Sequence, residues 1–138
     1  MVKIDRYEVL EGLYYSKDWM WLKIEGSKVR IGITDYAQKQ LNEVVFVELP
    51  KVGDVVTKGE SFGSVESLKT ISDLVSPING KIEEVNEEVK DNPEILNKNP
   101  YKEGWLIVLS PKSLEEDLKT LMDFKKAVEW HKELAKEK

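Results

Sequence analysis

Gly63-Ser64-Val65-Glu66-Ser67-Leu68-Lys69-Thr70-Ile71-Ser72-Asp73-Leu74-Val75 places apolar residues at alternate positions on both sides of a short polar centre. Such alternation marks half-buried strands, because successive side chains leave opposite faces. Val65 and Ile71 are predicted to face inward from two strands, with Ser67 to Thr70 as the connection and Lys69 at its tip. A lysine at a hairpin tip is ordinarily a solvated charge. It is also an amine that a transferase can approach from all sides, and an amide link there would remove its charge. A Schiff-base role needs a desolvated amine with a lowered pKa, for which a polar tip is the wrong setting.

The segments around the hairpin also read mainly as strands. Tyr7 to Leu13 is a mixed lead-in, and Tyr15 to Ile24 is strand-like, with Trp19 and Trp21 two apart on one face. Glu25 to Lys28 turns the chain into a second strand, Val29 to Ile33. Thr34 or Asp35 can cap a short helix through Leu41, with Gln38 three positions after Asp35 as in a capping box. Val44 to Leu49 is the most apolar run and reads as a strand buried over part of its length. Short strands follow at Val55-Val56, Ser61 to Glu66 and Lys81 to Val85, and Trp105 to Leu109 closes the β part. Asn92-Pro93 is predicted to start a helix through Asn97, as an N-cap with proline behind it.

Past the β part, Ser113 to Glu116 reads as a capping box, with Leu114, Leu118, Leu121 and Met122 at helical spacing. Asp123 can cap a last helix from Phe124 to about Lys136, with Phe124, Val128, His131 and Leu134 on one stripe. A faint repeat at an offset of 33 residues relates Val52-Gly53-Asp54 to Val85-Asn86-Glu87, as two strand-turn-strand halves about the hairpin would.

Composition removes several classes of function. The 138 residues are 41% hydrophobic and 34% charged, ordinary values for one globular domain. There is no cysteine, so disulfides, thiolate metal sites and a cysteine nucleophile are excluded. The single histidine, His131, lies near the end of the chain, which argues against a histidine metal site or a catalytic triad. The net charge of −5 is made by scattered lysine, arginine and carboxylates with no basic stripe, against nucleic-acid binding. Neither a membrane-length apolar run nor a signal-peptide pattern over Met1 to Leu10 is present, which predicts a cytoplasmic protein free of membrane.

Val65 to Asp73, followed by Ser76-Pro77 and Gly80, closely resembles the lipoylation segment of the glycine cleavage system H protein family. Gly32 to Gln38, Leu41, Val44 to Pro50 and Val52 to Asp54 look like the family's N-terminal half. Val85-Asn86, Pro93, Leu96-Asn97, Pro100-Tyr101 and Gly104 to Leu106 look like its C-terminal half, so the likeness runs from about Tyr14 to Pro111. Biotin carriers share the general fold but usually flank their lysine with methionine, unlike Leu68 and Thr70. Two departures stand out: Lys17-Asp18-Trp19 replaces the usual His-Glu-Trp, and Leu68 stands where valine is usual.

The resemblance implies a mainly β, flattened barrel-sandwich of the lipoyl/biotinyl-carrier type, with short helices and a C-terminal helical tail. Residues 1–110 would form the carrier domain and 111–138 a tail packed on it. It implies lipoic acid attached covalently to Lys69, with Glu66, Ser67, Leu68 and Thr70 as the attachment context. Asp18 and Asp73 would lie at a cleft for the loaded arm, where a carboxylate favours a cationic amine. The implied role is that of a carrier and not an enzyme. A pyridoxal-phosphate glycine decarboxylase (P protein) loads an aminomethyl group, and an aminomethyltransferase (T protein) passes it to tetrahydrofolate. Dihydrolipoyl dehydrogenase (L protein) reoxidises the arm, and a lipoyl/octanoyl transferase or lipoate ligase installs it. The expected state is a monomer. The Lys17-Asp18 departure keeps open a paralogous lipoyl carrier, for lipoyl relay or sulfur-compound oxidation. The residues alone also leave a partner-binding scaffold.

Overall fold

The protein is described by a computed structural model covering residues 2–136. In chain order the elements are β1 (Val2–Ile4), β2 (Tyr7–Val9), β3 (Tyr14–Tyr15), β4 (Met20–Glu25), β5 (Lys28–Ile33), α1 (Asp35–Leu41), β6 (Val44–Glu48) and β7 (Val55–Val56). They continue as β8 (Ser61–Ser67), β9 (Ile71–Val75), β10 (Gly80–Val85), α2 (Glu87–Asp91), α3 (Ile95–Lys98), β11 (Ile107–Pro111), α4 (Leu114–Leu118) and α5 (Phe124–Lys136).

A six-stranded antiparallel sheet runs β3-β4-β5-β11-β10-β7, and a three-stranded one runs β6-β8-β9. Val29, Ile31, Ile82 and Leu109 of the first share one core with Val47, Val65 and Leu74 of the second. This is the mainly β sandwich with short helices that the sequence predicts. A second cluster joins Val9, Tyr15 and Trp21 to Met122 and Ala127 and seats α5 against the β1-β2 hairpin and β3.

Several local expectations are corrected. Tyr15 to Ile24 is not one strand: β3 and β4 are paired halves of a hairpin, turning over residues 16–19. The mixed lead-in contains β2, which forms its own hairpin with β1. Trp19 and Trp21 do not share a face. Trp19 has φ 73°, a left-handed conformation that breaks the alternation before β4 begins. Trp21 instead packs in the second cluster, with its indole Nε1 donating to the Pro100 carbonyl at 2.9 Å.

Ile71 does not face inward: it is 66% exposed. The register pairs Val65 with Ser72 and Glu66 with Ile71, and opposed residues share a face, so Leu74 and not Ile71 continues the inner row.

The helix ends agree in part. Thr34 is the N-cap of α1, its Oγ1 accepting from Ala37 N at 3.2 Å, while Gln38 reaches the Asp35 side chain instead of closing a box. Asn86 caps α2, a helix the sequence reading lacks; Asn92 ends that helix, and the next begins only at Ile95. The repeat is not kept in secondary structure, since Val55–Val56 is a strand and Val89 lies in α2. Ser113 makes no side-chain cap bond, and α4 stops at Leu118, so Met122 pairs with Tyr15 as a β-bridge instead of extending a helical stripe. Asp123 does cap the last helix, accepting from Lys126 N at 2.9 Å.

Candidate functional site

The tip between β8 and β9 is organised by Ser67. Its buried Oγ accepts from the backbone N–H of Lys69 and of Thr70, each at 3.1 Å, while its own N–H donates to the Thr70 carbonyl at 2.8 Å. A hydroxyl turned back on the following amides fixes a tight connection without a glycine. Leu68 N–H donates to the Glu43 carbonyl at 3.1 Å, which ties the tip to the segment before β6. The backbone of Lys69 is therefore held, whereas its side chain is exposed and no described residue hydrogen-bonds or ion-pairs its amine. Thr70 and Leu68 are exposed, and Glu66 is half-buried on the outer face between Phe46 and Ile71.

Beside this hairpin lies a cleft of about 280 Å³, lined among others by Asp18, Trp19, Tyr36, Val65, Asp73 and Leu74. Asp18 and Asp73, far apart in sequence, thus line one cavity. Asp73 is four residues along from Lys69, about 13 Å at the rise of a strand. Both carboxylates are exposed. Ser61 Oγ lies 3.5 Å from Asp73 Oδ1, and no described residue bonds to the Asp18 side chain.

The cleft wall is built by two segments. One is the turn into β4: Trp19 N–H donates to the Ser16 carbonyl at 3.3 Å, and Thr34 N–H donates to the Trp19 carbonyl at 2.9 Å. These bonds hold Trp19 left-handed and tie it to the start of α1. The Trp19 ring stacks on Tyr36, with centroids 4.6 Å apart, and on Trp130, 4.9 Å apart. The other segment is α1 itself, fixed by a buried carboxylate. Asp35 accepts from Glu8 N at 2.8 Å, Gln38 Nε2 at 2.7 Å and Lys39 Nζ at 3.0 Å. Tyr101 joins the same group by donating to the Glu8 carbonyl at 2.7 Å, and burial raises its phenol pKa above the usual value.

Sequence reasoning missed Asp35 as an anchor because its bond to Glu8 N, which ties α1 to β2, joins residues distant in the chain. Trp21 is core, Trp105 lies under the Arg30 guanidinium at 4.6 Å, and only Trp19 of the three tryptophans considered lines the cleft.

His131 is wholly buried behind the wall, edge-on to Tyr36 and Tyr15. Its Nδ1–H donates to the Ala127 carbonyl at 2.7 Å, and Nε2 has no hydrogen-bond partner among the described residues. Burial lowers its pKa, against weaker opposing effects of that bond and of the Asp35 charge. No group of three or more metal-ligating side chains occurs among the described residues. No helix among them is long and apolar enough to cross a membrane.

The chemistry legible here is that of an accessible amine on a fixed backbone, next to a mostly apolar cleft with carboxylates at its edge. A family model described as the glycine cleavage H-protein matches residues 13–134. The chain is 58% identical over 104 residues to a glycine cleavage system H protein of Geobacillus thermodenitrificans, covering 75% of this chain and 82% of that one. It is 47% identical over 135 residues to a probable glycine cleavage system H protein of Pyrococcus furiosus, covering 97% of this chain and all (100%) of that one. In structure it is similar to a glycine cleavage system H protein of Mycobacterium marinum, with TM-score 0.78 and 38% identity, over 86% of this chain and 94% of that one.

Proposed function

This chain belongs to the glycine cleavage H-protein family, the lipoyl carriers of the glycine cleavage system, and we propose that Lys69 bears its lipoyl group, in amide linkage at Nζ. The observation that carries this is the geometry of the tip. Ser67 immobilises the backbone on both sides of an amine that nothing described holds. A modifying enzyme meets a rigid address and a free nucleophile, and acylation removes a charge that no ion pair needs.

When bound, the lipoyl dithiolane supplies a reactive disulfide that thiol exchange opens and closes. The chain's own residues supply the rest. Lys69 gives the tether and thereby a high effective concentration of cargo at a docked partner. The span of about 13 Å from Lys69 to Asp73 is on the scale of a lysine side chain extended by a medium-length acyl group. Asp18 and Asp73 would hold the cationic amine of the aminomethyl cargo, and Val65, Leu74 and Trp19 would exclude water around it. Asp18 takes this part from one methylene nearer the backbone than the family's usual glutamate.

In this reading the protein is a monomeric, cytoplasmic, non-catalytic carrier. It receives the aminomethyl group from the glycine decarboxylase (P protein) and delivers it to the aminomethyltransferase (T protein). Dihydrolipoyl dehydrogenase (L protein) reoxidises it, and a lipoyl/octanoyl transferase or lipoate ligase modifies it. Residues 1–110 form the carrier domain and 111–138 the tail. Glycine–bicarbonate exchange with the decarboxylase tests the role: lipoylated protein is expected to support exchange and Lys69→Ala to abolish it. Exchange that persists in Lys69→Ala would refute the site. A fully lipoylated protein inert with the decarboxylase would instead favour a paralogous pathway.

A further inference from the structure

We propose that Trp130, on the C-terminal helix α5, is a positioning residue for the cleft: it holds the Trp19 indole in the wall and so sets how long a loaded arm stays shielded from water. The inference rests on the carrier reading above. Trp19 is a bulky residue at φ 73°, a conformation that L side chains with a Cβ disfavour. Backbone bonds from Ser16 and Thr34 fix that turn but do not orient the ring. The ring is oriented by two aromatic neighbours, Tyr36 at 4.6 Å and 13° between planes, and Trp130 at 4.9 Å and 25°. Trp19 and Tyr36 line the cleft and Trp130 does not, so Trp130 acts only through Trp19.

The helix that carries Trp130 is anchored independently of it. Ala127 is wholly buried, Asp123 caps the helix by accepting from Lys126 N at 2.9 Å, and the backbone of Met122, just before the helix, pairs with Tyr15 through reciprocal bonds of 2.8 Å. Trp130 can therefore be changed while α5 stays in place. Without the stack, Trp19 is free to leave Tyr36 and water enters the wall. Water then adds at the cargo methylene as the carbon–sulfur bond breaks. The sulfur leaves as a thiol, and formaldehyde and ammonia are released with no change of oxidation state.

The test compares fully lipoylated wild type with Trp130→Leu, which keeps an apolar side chain on α5, and Trp130→Phe, which keeps a ring. Each is loaded from glycine by the decarboxylase and freed of it. Formaldehyde release is then followed without aminomethyltransferase. Leucine is expected to speed release about fivefold, the scale set by one stacked aromatic pair, and phenylalanine less than about twofold. A second readout needs no cargo. In unloaded protein, nuclear Overhauser contacts between the Trp19 and Tyr36 rings should be lost in Trp130→Leu and kept in Trp130→Phe. Release from Trp130→Leu at the wild-type rate, or unchanged Trp19–Tyr36 contacts in it, overturns the inference and leaves the carrier reading standing. Wild type releasing as fast as a lipoylated peptide of residues 63–75 overturns shielding by the cleft, and this inference with it.

Discussion

Replacing Gly63 by alanine is expected to destabilise the carrier hairpin at its base. Gly63 sits in β8, the central strand of the three-stranded sheet, opposite Leu74. A Cβ built there lies 2.2 Å from the Glu48 carbonyl oxygen, 3.3 Å from its carbon and 3.5 Å from Leu49 Cα. All three atoms are backbone, so no rotamer change relieves the clash. Bringing the closest contact to an ordinary 3.4 Å requires β6 and β8 to part by about 1 Å. That displacement exceeds the tolerance of N–H···O bonds and removes one or two of them beside the Glu48–Ser64 pair.

Overpacking of about 1–3 kcal/mol and about 1 kcal/mol per lost backbone bond place the total near 3 kcal/mol. For a domain of this size that lowers the melting temperature by about 10 °C. Thermal unfolding followed by circular dichroism measures it, with intact mass checking lipoylation of both proteins. A variant melting within about 2 °C of wild type would show that β6 and β8 are not pressed together as described.

Three further outcomes are expected. His131 is buried neutral with its pKa below the ordinary value, so the unfolded chain binds the extra proton first. Its contribution is complete above pH 6.5 and is lost as pH falls below it, at up to about 1.4 kcal/mol per pH unit. Denaturant titrations from pH 7.5 to 5 should show this slope reduced in His131→Phe; equal slopes would contradict it. Asn86 donates to the Glu103 and Trp105 carbonyls at 2.9 and 2.7 Å and caps α2, so Asn86→Ala should cost about 2–4 kcal/mol, read as a lower urea midpoint at constant m. Exchanging Asp18 and Asp73 for asparagine together should shorten retention of the aminomethyl cargo about twofold to fivefold, since exposed ion pairs contribute little each. Unchanged formaldehyde release would make both carboxylates ordinary solvated surface groups.

How much of this could be read in the chain depended on how local each determinant is. Val65 lies between the polar Ser64 and Glu66 as an inward strand residue does, and Ser67 to Thr70 interrupts the pattern, so the hairpin and its tip were legible. Ile71 was not, because its face follows from the pairing register across the turn, Glu66 with Ile71, and not from its own neighbours. Trp19 and Trp21 fit the strand pattern, yet one left-handed residue sends them to different clusters. No propensity marks that position, since tertiary stacking and the Thr34 bond hold it.

Capping was legible only in part. Asn92 suits an N-cap by its following proline, yet Asn86 is the residue that caps a helix, held by the carbonyls of Glu103 and Trp105 that the fold brings near. Asp35 shows the same limit for the site. One of its partners is a backbone amide 27 residues away, and nothing in Thr34-Asp35-Tyr36 announces a buried anchor. Lys69 was the opposite case: its proposed role was indistinct from local pattern and rests on the ordered resemblance on both sides.

The central claim is that Lys69 is the attachment site, and intact-mass measurement tests it most directly. After expression with lipoate and its ligase, the wild-type chain is predicted to gain one lipoyl group, and Lys69→Ala none. No gain in the wild type, or the same gain in Lys69→Ala, would contradict the account.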